Sequence, residues 1–135
     1  MNKLINISEA TSIAIHSLAI ISRKNKMVNA QYISETTGFS KNHISKVLQT
    51  LVKQGYIAST RGPHGGFELL KDVSSIPLLD IYELFDGKVN PNYCHDHKEM
   101  CPFSNCQMSD IIDELTALFI KRFGNLRIGD LKFKT

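Results

Sequence analysis

The sequence predicts a mainly α-helical protein with one small β-hairpin and a long helix near its C-terminus. Three observations support this fold class. Apolar residues recur at helical spacing in successive segments before residue 55, a strand–glycine-rich turn–strand pattern covers 56–70, and helical spacing returns over about 109–123. A chain of 135 residues has the length of one domain, or of a small domain with an extension.

The first part of the chain predicts three helices, each preceded by a polar residue that can cap its N-terminus. These are about 9–23 after Ser8, about 30–36 after Asn29, and a third that Ser40 opens and that runs to about Gln54. Gly38 and Gly55 stand where a helix often ends in a left-handed residue. Because only a short turn with a glycine joins the second and third helices, the two fit a helix-turn-helix.

A β-hairpin is predicted directly after the third helix. Tyr56–Thr60 and Phe67–Leu70 have the composition of strands, and the turn between them is long and rich in glycine. A hairpin that follows the second helix of a helix-turn-helix is the arrangement of a winged helix. We therefore predict a winged helix-turn-helix DNA-binding domain over residues 1–75.

The rest of the chain predicts two further units. Residues 76–108 contain a short helix, Leu78–Phe85, which starts near Ser74–Pro77 and ends at Gly87, and then an irregular loop with all three cysteines. Residues 109–135 contain a helix to about Phe123, ended by Gly124, and a tail. Few apolar partners remain for that helix, so its face predicts a symmetric dimer contact. Its apolar positions are Ile111, Ile112, Leu115, Leu118, Phe119 and Phe123.

Composition and charge exclude several classes of protein. Residues 1–75 carry nine Lys/Arg against four Asp/Glu, whereas the remainder is mildly acidic, which favours a polyanion partner for the first half. No apolar run approaches the ~20 residues of a membrane span, and no secretion signal is evident, so we expect a cytoplasmic protein without a membrane partner. No nucleophile–base pair, Walker loop or His-Glu-x-x-His helix is present, which predicts that the protein is not an enzyme.

The helix-turn-helix and wing contain candidate DNA-binding residues. In such a unit the second helix enters the major groove with its N-terminal residues toward the base edges, and the arginine of a wing can enter a narrow minor groove. For each residue taken singly, a solvated helix face or a simple turn is an equally good interpretation. The candidates are Ser40, Lys41, Asn42, His43 and Lys46 on the helix, and Arg61 and His64 at the wing tip.

The three cysteines predict a metal or redox site. Six residues separate Cys94 from Cys101, and four separate Cys101 from Cys106, so all three fall within 13 residues. Three thiolates this close suit an iron–sulfur cluster or zinc, although zinc sites usually have shorter Cys-x2–4-Cys spacing. A thiol redox switch is the third possibility. His95 and His97 are nearby candidates for a fourth ligand, and a pair of solvated loop histidines is the plainer interpretation.

The chain resembles the IscR/NsrR-like family of transcription regulators over nearly its whole length. The most specific part is the wing, Ile57–Leu69, with Arg-Gly-Pro-x-Gly-Gly-aromatic at its centre. Upstream, Ile33–Glu35 and Leu51–Gly55 also fit. This resemblance implies a homodimer, with the helix near 109–123 crossing its copy, and a 2Fe-2S or related cluster on the three cysteines.

The resemblance also bears on the fourth cluster ligand. Members of the IscR branch are expected to use a histidine three residues after the last cysteine, where this chain has Ser109. Members of the NsrR branch use a carboxylate near the N-terminus of the other subunit, and Glu9 aligns near that point. An acid in the first turn of a helix also simply stabilises the helix dipole.

The function expected from these observations is a DNA-binding transcription regulator that senses iron–sulfur, redox or nitric oxide status through a 2Fe-2S cluster. Its partners would be a second copy of the chain and a double-stranded, palindromic DNA operator. The alternative is a metal-free or zinc-binding regulator of the same fold, whose cysteines form a thiol switch.

Overall fold

The computed structural model describes residues 5–24 and 26–134, and in them the fold is mainly helical with one antiparallel hairpin, as predicted. The helices are α1 (Glu9–Arg23), α2 (Ala30–Thr37), α3 (Lys41–Lys53), α4 (Leu78–Asp86), α5 (Tyr93–Asp96) and α6 (Gln107–Asn125), and the strands are β1 (Ile57–Thr60) and β2 (Gly66–Leu69). Short 3-10 turns cover Val73–Ser75, Lys98–Met100 and Ile128–Asp130.

The predicted helix caps of the first three helices are present. The side chains of Ser8, Asn29 and Ser40 each accept a hydrogen bond from the backbone N–H three residues on, at 3.2, 2.8 and 3.1 Å. Gly38 adopts a left-handed φ of +83°, and its N–H donates to the carbonyl of Ser34. These contacts start and stop the helices where their apolar faces begin and end, which fixes the turn between α2 and α3.

The core lies between α1, α2 and α3 and extends to β1 and α4. Its fully buried side chains come from every one of these elements, because each helix turns one apolar stripe inward. They include Ile13, Leu18, Ile33, Ile44, Leu48, Leu51, Ile57 and Ile81. α3 is thus held on the same core as α2, the helix that precedes it.

Leu48→Ala tests how far α3 depends on this core. Leu48 is fully buried, so we expect the substitution to lower the free energy of unfolding by about 2–5 kcal/mol through lost burial and a residual cavity. Urea unfolding followed by circular dichroism measures the change. The exposed neighbour Gln49 provides the control, since Gln49→Ala should change stability by less than about 0.5 kcal/mol. Equal losses in both variants would contradict this account of α3.

The hairpin has a third, very short partner that sequence patterning did not predict. β1 and β2 pair in an antiparallel register from Ile57 opposite Leu69 to Thr60 opposite Gly66. On the outer side of β2, Val28 and Phe67 exchange both backbone hydrogen bonds, at 3.1 and 2.7 Å. A single bridging residue leaves no periodic signal, although the bridge ties the segment before α2 to the wing.

The boundaries around α4 differ from the sequence prediction. The polar residues before the helix form a separate 3-10 turn, because the carboxylate of Asp72 accepts the N–H of Ser74 at 2.9 Å. The same hydrogen bond lowers the pKa of Asp72. α4 then begins at Leu78 after Pro77, without a side-chain cap.

Two predictions about the last third of the chain were wrong in detail. The segment 88–107 is not wholly irregular, because it contains α5 and one 3-10 turn. Gly124 does not end α6, which continues through it to Asn125. The chain then returns to the core, and Leu126 and Ile128 form backbone hydrogen bonds with Leu78 and Ile76. This pairing buries Ile128 and fixes the end of α6 beside the start of α4.

Candidate nucleic-acid interface and cysteine segment

α3 separates a buried face from an exposed polar face. Ile44, Val47 and Leu48 are buried, whereas Lys41, Asn42 and Lys46 are exposed. Ser40 precedes the helix, and its hydroxyl oxygen caps the N–H of His43. The hydroxyl proton of Ser40 therefore remains available to donate to a base or a phosphate.

The wing tip consists of residues 61–65, between the two strands. Arg61 and His64 are both exposed there. Gly66 follows the tip with a φ of +150°, and a Cβ at this position would lie 2.7 Å from the carbonyl oxygen of Val28. A side chain at Gly66 would therefore disrupt the bridge to Val28. The glycine satisfies turn geometry, and that geometry in turn holds two cationic or polar side chains at the tip.

Glu9 lies beside α3 in the structure. Its Oε1 is 3.5 Å from Nδ1 of His43, and the two side chains are 56% and 36% exposed. The contact joins the first turn of α1 to the first turn of α3. Sequence patterning did not predict it, because nothing local marks two residues 34 positions apart as neighbours.

A second contact missed from the sequence links α4 to α1. Oδ2 of Asp86 accepts hydrogen bonds from the N–H and the hydroxyl of Ser8, at 3.2 and 3.1 Å, and from the hydroxyl of Thr11. Thr11 is fully buried. A carboxylate at the C-terminus of a helix interacts unfavourably with that helix's own dipole. The position of Asp86 at the end of α4 was therefore the one sequence feature that could have indicated a hydrogen-bond partner outside α4. The contact joins the entrance of the cysteine segment, residues 88–107, to the N-terminus of α1.

The cysteine segment carries three free thiols. Cys94 lies in α5 and is half-buried, Cys101 is exposed, and Cys106 is half-buried at the N-cap of α6. Over residues 5–24 and 26–134, no three His, Cys, Asp or Glu side chains of this single chain converge into a metal site. The donor set nevertheless suits a soft metal or an iron–sulfur cluster, since three thiols lie within one short segment and none is used in a disulfide.

The two histidines of the segment are both exposed. Nδ1 of His97 lies 2.7 Å from the carbonyl oxygen of Tyr93, and its ring stacks on the Tyr93 ring with centroids 4.2 Å apart. Because a carbonyl oxygen can only accept, Nδ1 of His97 is the donor in this hydrogen bond. The hydrogen bond and the ring stacking hold the His97 side chain against the first residue of α5.

An apolar groove of about 430 Å³ lies between α4 and α6. Tyr82 packs edge-on against Phe119, with ring centroids 4.9 Å apart, and burial together with the carboxylate of Asp86 raises the pKa of Tyr82. Leu115 and Leu118 of α6 line the groove, Ile111 and Ile112 of the same helix lie outside its lining, and all four side chains remain 40–56% exposed. The predicted apolar face of the last helix is therefore present and largely uncovered by its own chain.

Among the described residues, no helix combines the length and the apolar character that crossing a membrane requires.

The chain matches a family model, and the proteins similar to it include rrf2 and NsrR. The family model Rrf2, described as an iron-dependent transcriptional regulator, matches residues 7–133. The protein rrf2 of Nitratidesulfovibrio vulgaris is 28% identical over 105 residues, which is 77% of this chain and 70% of that protein. The HTH-type transcriptional regulator NsrR of Bacillus subtilis is 28% identical over 111 residues, covering 81% of this chain and 76% of NsrR.

Solved structures share the fold. CymR of B. subtilis, the global cysteine regulator, superposes with a TM-score of 0.75 at 15% identity, covering 93% of this chain and 95% of that one. IscR of T. potens gives a TM-score of 0.74 at 16% identity, covering 93% and 84%. At these identities the structures establish the fold of the chain, and the family match establishes its class.

Proposed function

Since the chain belongs to the Rrf2 family of transcriptional regulators, we propose that it controls transcription according to the state of an iron–sulfur cluster held by its cysteine segment. The family places it among DNA-binding regulators and not among enzymes, as expected from the absence of a catalytic motif. The finer assignment, a 2Fe-2S sensor of iron–sulfur, redox or nitric oxide status, is the proposal.

The observation that carries this proposal is the set of three free thiols between α4 and α6. Cys94, Cys101 and Cys106 would hold the cluster, which when bound supplies a redox-active centre that oxidants and nitric oxide can alter. Within the described residues of one chain, no three His, Cys, Asp or Glu side chains converge into a metal site, and among the candidates for a fourth ligand we favour Glu9 of a second copy. A carboxylate is a harder ligand than a thiolate and is therefore the easier one to displace.

We assign three roles along the chain. Residues 1–75 would bind DNA, 76–108 would hold the cluster, and 109–135 would join two copies. Within the first unit, DNA contacts fall to the exposed residues of the recognition helix and the wing, on a basic half of the chain. The proposed DNA-binding residues are Ser40, Lys41, Asn42, His43, Lys46, Arg61 and His64.

Hydrogen bonds and packing contacts connect the cysteine segment to residues 1–75. At its start, the carboxylate of Glu83 accepts the N–H of Val89 at 2.9 Å, and Asp86 is bonded to Ser8 and Thr11 of α1. Any rearrangement of the segment therefore acts on a helix end that is already attached to α1. Because α1 packs against α3 through the core, a rearrangement of the cysteine segment can change the relative position of the two α3 helices of a dimer.

Leu115→Asp tests the proposed homodimer. Leu115 lines the groove and is 43% exposed, so a charge there would be buried on dimerisation and should convert the dimer to a monomer. Size-exclusion chromatography with light scattering measures the mass. Ala117→Asp is the matched control, because it places the same charge on an exposed residue outside the groove and should leave a dimer. A dimeric Leu115→Asp protein would contradict this interface.

Purification without air tests the cluster. We expect a coloured protein with about two iron and two sulfide per chain, the content of a 2Fe-2S cluster. A colourless protein that also fails reconstitution would overturn the cluster proposal. Bound zinc would then support a zinc-binding regulator, and metal-free thiols would support a thiol switch.

A further inference from the structure

Resting on the function proposed above, we propose that Glu9 controls how His43 reads DNA. In the metal-free chain Glu9 holds His43 toward α1, and it would release His43 when its carboxylate becomes the fourth ligand of a cluster held by the cysteines of a second copy. The proposal makes one side chain a shared partner of the sensing site and the recognition helix.

The contact between the two side chains is of a kind that exchanges easily. Glu9 Oε1 and His43 Nδ1 are 3.5 Å apart, and both side chains are partly exposed. Exposed pairs of this kind contribute little to stability, because water competes for both groups. A stronger ligand interaction can therefore displace the pair without cost to the fold.

The position of His43 gives the contact its consequence. His43 is the third residue of α3, in the turn whose residues face base edges in a helix-turn-helix. A ring nitrogen that faces Glu9 is not available to a purine edge or a phosphate. Release of the ring adds one hydrogen-bonding group to the DNA-reading surface, and it also withdraws a carboxylate from that surface.

The backbone around Glu9 is fixed, so the exchange concerns its side chain. Ser8 on one side donates two hydrogen bonds to Asp86, and the buried Thr11 donates a third. With the first turn of α1 held in this way, Glu9 can change partners by rotating its own χ angles. The helix need not move for His43 to be freed.

Operator affinities of metal-free proteins test the contact. The probe is a fluorescent duplex selected from a random pool with the wild-type protein, and anisotropy titrations compare wild type, Glu9→Gln, His43→Ala and the double variant. We expect Glu9→Gln to raise affinity about two- to five-fold, the range of an exposed pair, and to have no such effect in the His43→Ala background.

Glu35→Gln is the matched control for charge alone. It removes one carboxylate from α2, where Glu35 contacts Gln31 at 2.8 Å, and any general gain from reduced repulsion of phosphate should appear there too. A gain in Glu9→Gln no larger than in Glu35→Gln, or one that persists without His43, would overturn the proposal.

Iron assays on the same reconstituted proteins separate this inference from the function on which it rests. Wild type that takes up iron, together with Glu9→Gln that takes up less, supports the exchange. Wild type that takes up no iron would overturn the proposed function and the exchange, while the metal-free affinities would still decide whether Glu9 restrains His43.

Discussion

Cys101→Ala should lower the iron content of reconstituted protein by about 10-fold or more. Loss of a direct metal ligand weakens metal binding at least as much as loss of a group that only hydrogen-bonds to a ligand. Operator affinity should then no longer differ between reconstituted and metal-free preparations. Iron analysis and anisotropy titration measure the two effects. Cys101 is exposed, so the free energy of unfolding of the metal-free protein should change by less than about 0.5 kcal/mol.

Ser104→Ala is the control for Cys101→Ala. Ser104 is exposed in the same segment, three residues further on, and its loss should leave iron content and response unchanged. Unchanged iron in Cys101→Ala would remove Cys101 from the ligand set. Equal losses of iron in both variants would contradict a specific role for the Cys101 thiol.

Arg61→Ala should weaken operator binding about 10-fold or more. Arg61 is exposed at the wing tip, and the bridge between Val28 and Phe67 supports the neighbouring strand β2. An arginine that enters a narrow minor groove contributes both its positive charge and its complementarity to the shape of the groove. Anisotropy titrations on the selected operator at fixed salt measure the loss. Folding should be unaffected, because the side chain is exposed.

Lys71→Ala separates the wing tip from charge in general. Lys71 lies just after β2 and is exposed, and its Nζ is 4.3 Å from the centre of the Tyr56 ring. Its replacement by alanine removes one positive charge at the base of the hairpin. We expect a small and uniform loss of affinity from this variant. A loss equal to that of Arg61→Ala would contradict a specific role for the tip.

The local elements of residues 1–75 were predictable from the sequence. Cap residues such as Ser8 and Ser40 predict the positions at which α1 and α3 begin. The apolar stripe of α3 predicts which of its faces is buried. The glycine-rich turn after Thr60 likewise predicts the hairpin. These features depend on neighbours along the chain, which is the information that periodicity and turn composition contain.

The contacts that connect the elements were not predictable in the same way. Asp86 meets Ser8 across 78 positions, and Val28 meets Phe67 as a single bridging residue. Neither partner has a periodic or compositional sign, because the pairing is decided when the helices pack. The extension of α6 through Gly124 has a similar cause, since the returning tail at Ile128 supports the end of the helix.

The cysteine segment was predictable in its composition but not in its local structure. The spacing of Cys94, Cys101 and Cys106 predicts an iron–sulfur cluster, a zinc site or a thiol switch, because it brings three soft donors into a short segment. It does not predict α5, whose turn depends on the N–H of Asp96 and the carbonyl of Asn92, 2.9 Å apart. Nor does it identify a fourth ligand, since that donor would lie elsewhere in the sequence or on a second copy.

The affinity of the wild-type protein for its selected operator, measured with and without the cluster in one anaerobic preparation, tests the central claim most directly. We predict that the two affinities differ by about 5- to 150-fold, the usual range of coupling between two sites. Equal affinities, with iron and sulfide verified in the loaded sample, would contradict a role for the cysteine segment in controlling DNA binding.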